Sequence, residues 1–398
     1  MSDDLAALFL RHVCQTSPAP LGIEVARAAG STVWDAGGRA YLDLLAGMGV
    51  ANVGHTHPEV VAALRAQAER HLHVMVYGEF VQEAQVRLAT RLAGLLAPPL
   101  AVVYFTSSGA EAIEGALKTA RKHTRRRRIV AFEGGFHGDT LGALSIGGNP
   151  VYRAPFEPLL PEVTRLPFDD VAALAAIDAH TAAAVVEPVQ AEAGVRIPGP
   201  AFLPTLRRRC DETGALLVLD EVVTGFGRTG RLFAHQHWGV APDLLVLAKA
   251  LGGGLPLGAF IGSPAVMATL GHDPPLAHVT TFGGHPLSCA AGLAALEVVL
   301  REDLPARAAA LGARMLERLC ALVGRGGLVA ARGLGLLLGL EFAEAAACAR
   351  FARRALERRL ILNWTLHRDT VVRLAPPLVL TDAEAENAHD AIAAALAE

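Results

Sequence analysis

The stretch Ala215–Leu216–Leu217–Val218–Leu219–Asp220–Glu221 sets five uninterrupted apolar residues before two carboxylates. An amphipathic strand alternates apolar and polar positions, whereas a strand buried on both faces does not. The run therefore predicts a central strand of a parallel sheet, with its acids at the carboxyl end. Similar continuous runs occupy residues 101–105, 129–132, 183–187, 244–247 and 259–261. Between the first two, Ile113, Ala116, Leu117 and Ala120 recur at the spacing of one helix face. Strand and helix alternate through the middle of the chain, which predicts an α/β architecture around a mostly parallel sheet.

The ends read differently. Residues 1–45 hold a helix and then a strand–turn–strand centred on residues 35–39, with Gly37 and Gly38 at the turn. From about residue 300 helices with charged faces alternate with short strands near 335–342 and 371–374. We expect a large domain over 51–295 and a small α+β domain built from both termini, 1–50 and 296–398. The basic run 125–128 lies between a helix and a strand and reads as a solvated helix end.

Composition narrows the function. The 398 residues are 52% hydrophobic and 19% charged, enough for a large core and against disorder. A net charge of −3 gives no electrostatic case for a nucleic-acid or membrane partner. The long uncharged runs after residue 250 are broken by glycines and prolines, which argues against a membrane span. Asp3 and Asp4 precede only a short apolar stretch, so no signal peptide is expected. Cys14, Cys210, Cys289, Cys320 and Cys348 are scattered and form no CxxC pair. They suggest reduced thiols in the cytoplasm and no metal site.

Lysine supplies three of 36 basic residues: Lys118, Lys122 and Lys249. A genome rich in G and C would produce that bias. A lysine retained in an apolar segment still invites a chemical reason, because arginine cannot act as an amine nucleophile. Lys249 follows a predicted strand and precedes Gly252–Gly253–Gly254. It is either a lysine reaching the surface or an amine of lowered pKa poised for a Schiff base. Asp220 could neutralise a cationic ring nitrogen, or simply close a strand. Thr106–Ser107–Ser108–Gly109–Ala110–Glu111 could hold a phosphate at a helix N-terminus, or be an ordinary cap. Phe136, in Phe136–His137–Gly138–Asp139–Thr140, could stack on a planar cofactor or fill the core.

Taken together and in this order, these segments resemble the class III pyridoxal-phosphate aminotransferases, the family of ornithine, acetylornithine and ω-amino-acid transaminases. The resemblance runs from Gly54–His55–Thr56–His57–Pro58 to Val372–Arg373–Leu374–Ala375–Pro376–Pro377. Its most specific part is Asp220–Glu221–Val222–Val223–Thr224–Gly225–Phe226–Gly227–Arg228–Thr229–Gly230, followed by Lys249. Thr280–Thr281–Phe282–Gly283–Gly284–His285–Pro286 is nearly as telling.

The resemblance implies a fold type I enzyme, a homodimer with shared active sites, and pyridoxal phosphate as cofactor. It makes Lys249 the Schiff-base lysine and Asp220 the partner of the ring nitrogen. Ser108, Gly109 and Ala110 would cradle the phosphate. Phe136 and Val222 would cover the two ring faces, with His137 among the cofactor-binding residues. Thr281 would reach the phosphate in the neighbouring subunit, and Glu187 would be an acid near the phenolic oxygen. Glu192 resembles a gating glutamate and Arg373 the arginine it pairs with.

Three positions depart from ornithine-type enzymes. Asp139 stands where they carry a carboxylate-binding arginine, Met48 where ornithine aminotransferase has a tyrosine, and Val223 where glutamine is frequent. Asp139 either pairs with a nearby arginine or holds a substrate ammonium. The expected reaction moves an amino group from an amine or ω-amino acid to a 2-oxo acid. An acetylornithine-type or related arginine- or lysine-pathway donor is the alternative. A racemase, mutase or decarboxylase of the same family would use the same lysine and aspartate. A DNA-reading regulator is disfavoured, since only about 20 residues precede the first family-like strand.

Overall fold

The computed structural model describes residues 5–17 and 20–397. After a helix at Leu5–His12, strands β1 (Val25–Ala29), β2 (Thr32–Asp35) and β3 (Ala40–Asp43) form an antiparallel meander. Asp35 ties the β2–β3 turn by accepting from the Arg39 N–H at 2.9 Å.

The large sheet contains β4 (Val102–Thr106), β5 (Arg128–Phe132), β6 (Val163–Leu166), β7 (Thr181–Val186), β8 (Leu216–Asp220), β9 (Leu244–Leu247) and β10 (Gly258–Gly262). Their spatial order is β4-β10-β9-β8-β7-β5-β6. Strand β10 runs antiparallel to both its neighbours, and every other pairing is parallel. The apolar runs are continuous because each strand feeds two cores. Ile129, Ala131, Val185, Val218 and Val246 meet the helix Gly109–Thr124 through Ile113, Ala116 and Ala120. Val130, Phe132, Val186, Leu217, Leu219 and Leu245 meet Phe202, Leu206 and Cys210 of the helix Phe202–Thr213. A Cβ on Gly115 would lie 2.2 Å from the Phe260 ring, so glycine sets how closely the first helix approaches β10.

Towards the C-terminus, β11 (Leu328–Leu334), β12 (Leu337–Phe342), β13 (Leu360–Ile361), β14 (Asn363–Thr365) and β15 (Arg368–Leu374) complete the strands. Four of them make an antiparallel sheet in the order β11-β12-β15-β14. The fifth, β13, pairs parallel with β3 and so joins the two ends of the chain. Leu44, Val53 and Val60 share a core with Leu338, Phe342, Val372 and Ile392. Residue 295 lies within the helix Pro286–Arg301, which passes without a break from the large sheet's surroundings into this core.

The basic run 125–128 is only partly a solvated helix end. Arg126 Nη1 donates to the carbonyls of Thr181 (3.0 Å) and Thr213 (2.9 Å). Arg128 pairs with Asp178 and also reaches Thr181 Oγ1. Only Arg125 and Arg127 are exposed, because alternate side chains point inward as the helix gives way to β5. No helix among the described residues is long and apolar enough to cross a membrane.

Candidate active site

Parallel strands gather their carboxyl ends on one edge of a sheet, where ligands commonly bind. Here the segments that follow β4, β5, β7, β8 and β9 line one cavity of about 450 Å³, together with the residues leading into the reversed strand β10.

Lys249 enters this cavity two residues after β9. Its φ of +48° lies in the left-handed region, a costly conformation for a residue with a Cβ, and it begins a single 3-10 turn at Lys249–Gly252. Its amine has no hydrogen bond or ion pair with any described residue, although the side chain lines the cavity wall. Burial first and the charge of Arg373 second push the amine below its ordinary pKa. Glu192, Asp220 and Glu187 oppose that shift. The result is a lysine biased towards the neutral, nucleophilic form.

Asp220 ends β8, Glu221 follows it directly, and their side chains point opposite ways, as the alternation of the strand carries on. Asp220 faces the cavity and accepts from the Val222 N–H at 3.0 Å. Glu221 is fully buried away from it and accepts from the N–H groups of Ala234 (2.5 Å) and His235 (2.8 Å). Its work is structural. His137 Nδ1 lies 2.7 Å from Asp220 Oδ2. Burial alone would push the imidazole down, but the hydrogen bond and charge of Asp220 carry its pKa above the ordinary value, with help from Glu187. Glu187, directly after β7, accepts from the N–H groups of Phe136 (3.0 Å) and Ala191 (3.1 Å). Burial pushes its carboxyl up to about 7, against the pull of His137 and with the push of Asp220.

At the end of β4, Ser108 caps the helix Gly109–Thr124 by accepting from the Glu111 N–H. Glu111 Oε2 in turn accepts from the Ser107 N–H at 2.7 Å. Among the described residues the N–H groups of Gly109 and Ala110 find no acceptor, and both residues line the cavity. Two free donors at the positive end of a 16-residue helix fit a phosphate. Val222 packs against Gly109, where a Cβ would come within 3.0 Å of it. Phe136 and His137 reach the cavity on the segment after β5. Gly138, at φ +118°, lets that segment touch Ala110, because a Cβ there would lie 2.6 Å from the Ala110 Cβ. Glu114 secures the same segment by accepting from Thr140 Oγ1 (2.6 Å) and the Gly142 N–H (2.8 Å).

Glu192 and Arg373 form a buried ion pair. The second Glu192 oxygen accepts from the Leu366 N–H at 2.9 Å. The charge of Arg373 holds Glu192 below the usual carboxylate range despite burial. Met48 Sδ lies 3.6 Å from Arg373 Nη2, and the Met48 backbone has φ +67°. The β14–β15 turn closes over this region. His367 stacks on Tyr152 with centroids 5.2 Å apart and meets the Phe136 ring edge-on at 5.6 Å.

The structure thus brings Lys249, Asp220, Glu187, Glu192, Val222, Phe136, His137, Ser108, Gly109 and Ala110 to one cavity. Arg373 and Met48 join through Glu192. Asp139 is exposed, and the expected arginine partner is not there: it makes no ion pair among the described residues. Thr281 is exposed and does not line this cavity. Val50 and residues 255–257 line it without having been singled out. The glycines after Lys249 were the signal for the latter. The His137–Asp220 bond had none, since 83 residues separate the partners in sequence.

An amine and two helix N–H groups with no partner among the described residues, beside a carboxylate bonded to an imidazole, suit a phosphate-bearing carbonyl cofactor. Comparison with known proteins makes this specific. The class III aminotransferase family model matches residues 14–396, and the chain belongs to that family. It is 41% identical over 370 residues to an acetylornithine aminotransferase of Methanosarcina acetivorans, covering 92% of this chain and 90% of the relative. It is 42% identical over 370 residues to a putrescine aminotransferase of Pectobacterium atrosepticum, covering 89% of this chain and 78% of the relative. The solved ornithine aminotransferase of Toxoplasma gondii superposes with a TM-score of 0.92 at 34% identity, covering 100% of this chain and 95% of that one. The architecture is the fold type I architecture of pyridoxal-phosphate transaminases.

Proposed function

We propose that this aminotransferase takes its amino group from an amine or ω-amino acid and passes it to a 2-oxo acid. The cofactor is pyridoxal phosphate, an electron-withdrawing ring that stabilises negative charge on a substrate carbon. The N–H groups of Gly109 and Ala110 bind its phosphate. Asp220, oriented by His137, supplies the negative charge that suits a protonated ring nitrogen. Lys249 Nζ, biased towards the neutral form, would take the proton from the donor's amine-bearing carbon and, in the second half of the reaction, give one to the carbonyl carbon of the 2-oxo acid. Phe136 and Val222, which line the cavity, would hold the ring between them. Glu187 lies beside them, held by two backbone N–H groups.

The observation that supports the donor class is the Glu192–Arg373 pair. Asp139, a carboxylate at the position where ornithine-type relatives carry an arginine, is exposed and does not line the cavity. Glu192 already neutralises Arg373, so the resting site offers a donor no free guanidinium and suits an amine without an α-carboxylate. The similarity to acetylornithine enzymes supports the other reading. A screen of diamines, ω-amino acids and N-acetylornithine with 2-oxoglutarate decides between them. A tenfold preference for N-acetylornithine over every other donor would replace this reading.

Two further parts of the proposal concern assembly and location. Thr281, exposed and outside its own cavity, suits a homodimer in which it completes the neighbouring site. The five free cysteines suit a reducing cytoplasm.

A further inference from the structure

Thr281 sits at the end of a loop that does little to hold itself in place. Residues 271–276 are exposed, as are Thr281 and Phe282. The anchors come from elsewhere. Lys118 and Lys122, two of the three lysines, stand one turn apart on the helix Gly109–Thr124, and both reach this loop. Lys118 Nζ lies 2.9 Å from His278 Nδ1 and 3.3 Å from the Ala277 carbonyl, while Lys122 Nζ donates to the His272 carbonyl. From β4, the Tyr104 hydroxyl donates to the His278 carbonyl at 2.8 Å, and its ring packs on the His278 ring at 5.2 Å.

An ammonium has only protons to give, so His278 Nδ1 accepts and the ring keeps its proton on Nε2. Burial and then the charge of Lys118 push His278 below its ordinary pKa, which keeps it neutral and able to accept. The ammonium spreads its donors around one nitrogen and so serves two acceptors in different directions. A planar guanidinium would present a fork instead. Residues 277 and 278 are therefore fixed from two sides, three residues before Thr281.

The geometry points to Tyr104, Lys118 and His278 as positioning residues that set where Thr281 stands relative to the cofactor phosphate of a neighbouring copy. This rests on the reading of Thr281 given above. The same helix would then present its N-terminal N–H groups to its own phosphate and, from its middle, steer the threonine offered to the other.

The test is a double-mutant cycle read as the dissociation constant for pyridoxal phosphate. Full-length cofactor-free protein is titrated by absorbance, with thermal unfolding of the same samples as a check on folding. Thr281→Ala should weaken binding by about tenfold, the loss of one hydrogen bond to a charged group. Lys118→Met should weaken it comparably, with little change in the melting temperature of the cofactor-free form. The double variant should bind no worse than Thr281→Ala alone. Losses that multiply in the double variant, or normal binding by Lys118→Met beside a weakened Thr281→Ala, would overturn the positioning role. Unchanged binding by Thr281→Ala would overturn the reading of Thr281 and the positioning role with it. If Lys118→Met does not fold, Tyr104→Phe removes one hydroxyl and enters the same cycle.

Discussion

His137 Nδ1 lies 2.7 Å from Asp220 Oδ2, and both side chains are almost wholly buried. A buried carboxylate needs partners, and among the described residues this one has the imidazole and the Val222 N–H alone. His137 therefore orients Asp220, whereas Asp220 supplies the charge. Asp220→Asn keeps the shape and removes the charge, so proton abstraction should slow by about 10²–10³-fold. His137→Ala leaves the charge and frees its orientation, so a smaller loss of about tenfold is expected. Single-turnover rates with one donor rank the two variants. A greater loss in His137→Ala would reverse the assigned roles.

Glu187 gives stability a pH dependence of known sign. Burial pushes its carboxyl from the ordinary 4.5 to about 7 in the fold. The folded protein therefore holds this proton more tightly than the unfolded chain does. The stability linked to it is full below pH 4.5 and is lost as pH rises towards 7, by about 3 kcal/mol. Urea unfolding of cofactor-free protein at several pH values should show that fall, and Glu187→Gln should flatten it. His137, with a raised pKa, contributes a slope of the same sign that the variant retains. Equal slopes in wild type and variant would refute the shift.

With three lysines, the chain offers an internal competition for amine reactivity. Lys249 is depressed by burial and has no hydrogen-bond partner among the described residues, whereas Lys118 and Lys122 each hold an acceptor. In cofactor-free protein at neutral pH, reductive methylation should label Lys249 first. After cofactor addition, borohydride should fix the pyridoxyl group on Lys249 alone. Mass spectrometry of the peptides checks both, and preferential labelling of Lys118 would contradict the depressed amine.

Strands β8, β9 and β10 were legible because every residue in them is buried and the runs lack polar interruptions, whereas the edge strand β6 is half-buried, carries Thr164 and Arg165, and shows no such run. The β2–β3 hairpin was legible from its turn, but β1 before it was not, nor was the pairing with β13, since two residues carry no pattern of their own. Lys249 and Asp220 stood out because a charge closing an apolar run is conspicuous. Where the neighbouring Glu221 points depends on strand alternation, and its partners lie 13 and 14 residues further on. Arg228 was visible only as a letter of a motif. Its burial reflects contacts with residues 108, 148 and 176 positions away. Asp139 allows two readings in the sequence, an arginine's partner or a holder of a substrate ammonium, and among the described residues no arginine pairs with it.

Arg228 is the largest side chain among those buried completely. It donates to the carbonyls of Leu336 (3.0 Å) and Pro376 (2.5 Å) and to Asn52 Oδ1 (2.7 Å). Burial pushes its pKa down to about 9, so the site holds the cation at a cost and returns it through three acceptors. Arg228→Met removes the charge but leaves those acceptors dry. A loss of about 3 kcal/mol in urea unfolding is expected. Arg228→Lys should recover only part of it, because one nitrogen cannot span three separated acceptors. Full recovery by lysine would mean that the charge matters and the geometry does not.

The Glu192–Arg373 pair makes a prediction that separates the two halves of the reaction. Glu192 has two oxygens and two obligations, to Arg373 and to the Leu366 N–H. A 2-oxo acid offers a carboxylate of its own and can replace Glu192 at Arg373. An amine donor offers none, so Glu192 must stay or leave a buried guanidinium unpaired. Glu192→Gln keeps an oxygen for the Leu366 N–H and removes the charge opposing Arg373. The 2-oxo acid no longer has to displace a carboxylate, and its KM should fall by about tenfold, the worth of one charge-assisted hydrogen bond. The amine half-reaction should move the other way, with a higher KM and a smaller change in kcat, since the contact is the same in ground and transition states. Each half-reaction can be followed on its own by the cofactor's absorbance. Parallel changes in both would mean that Glu192 serves the site as a whole and does not discriminate between its two substrates.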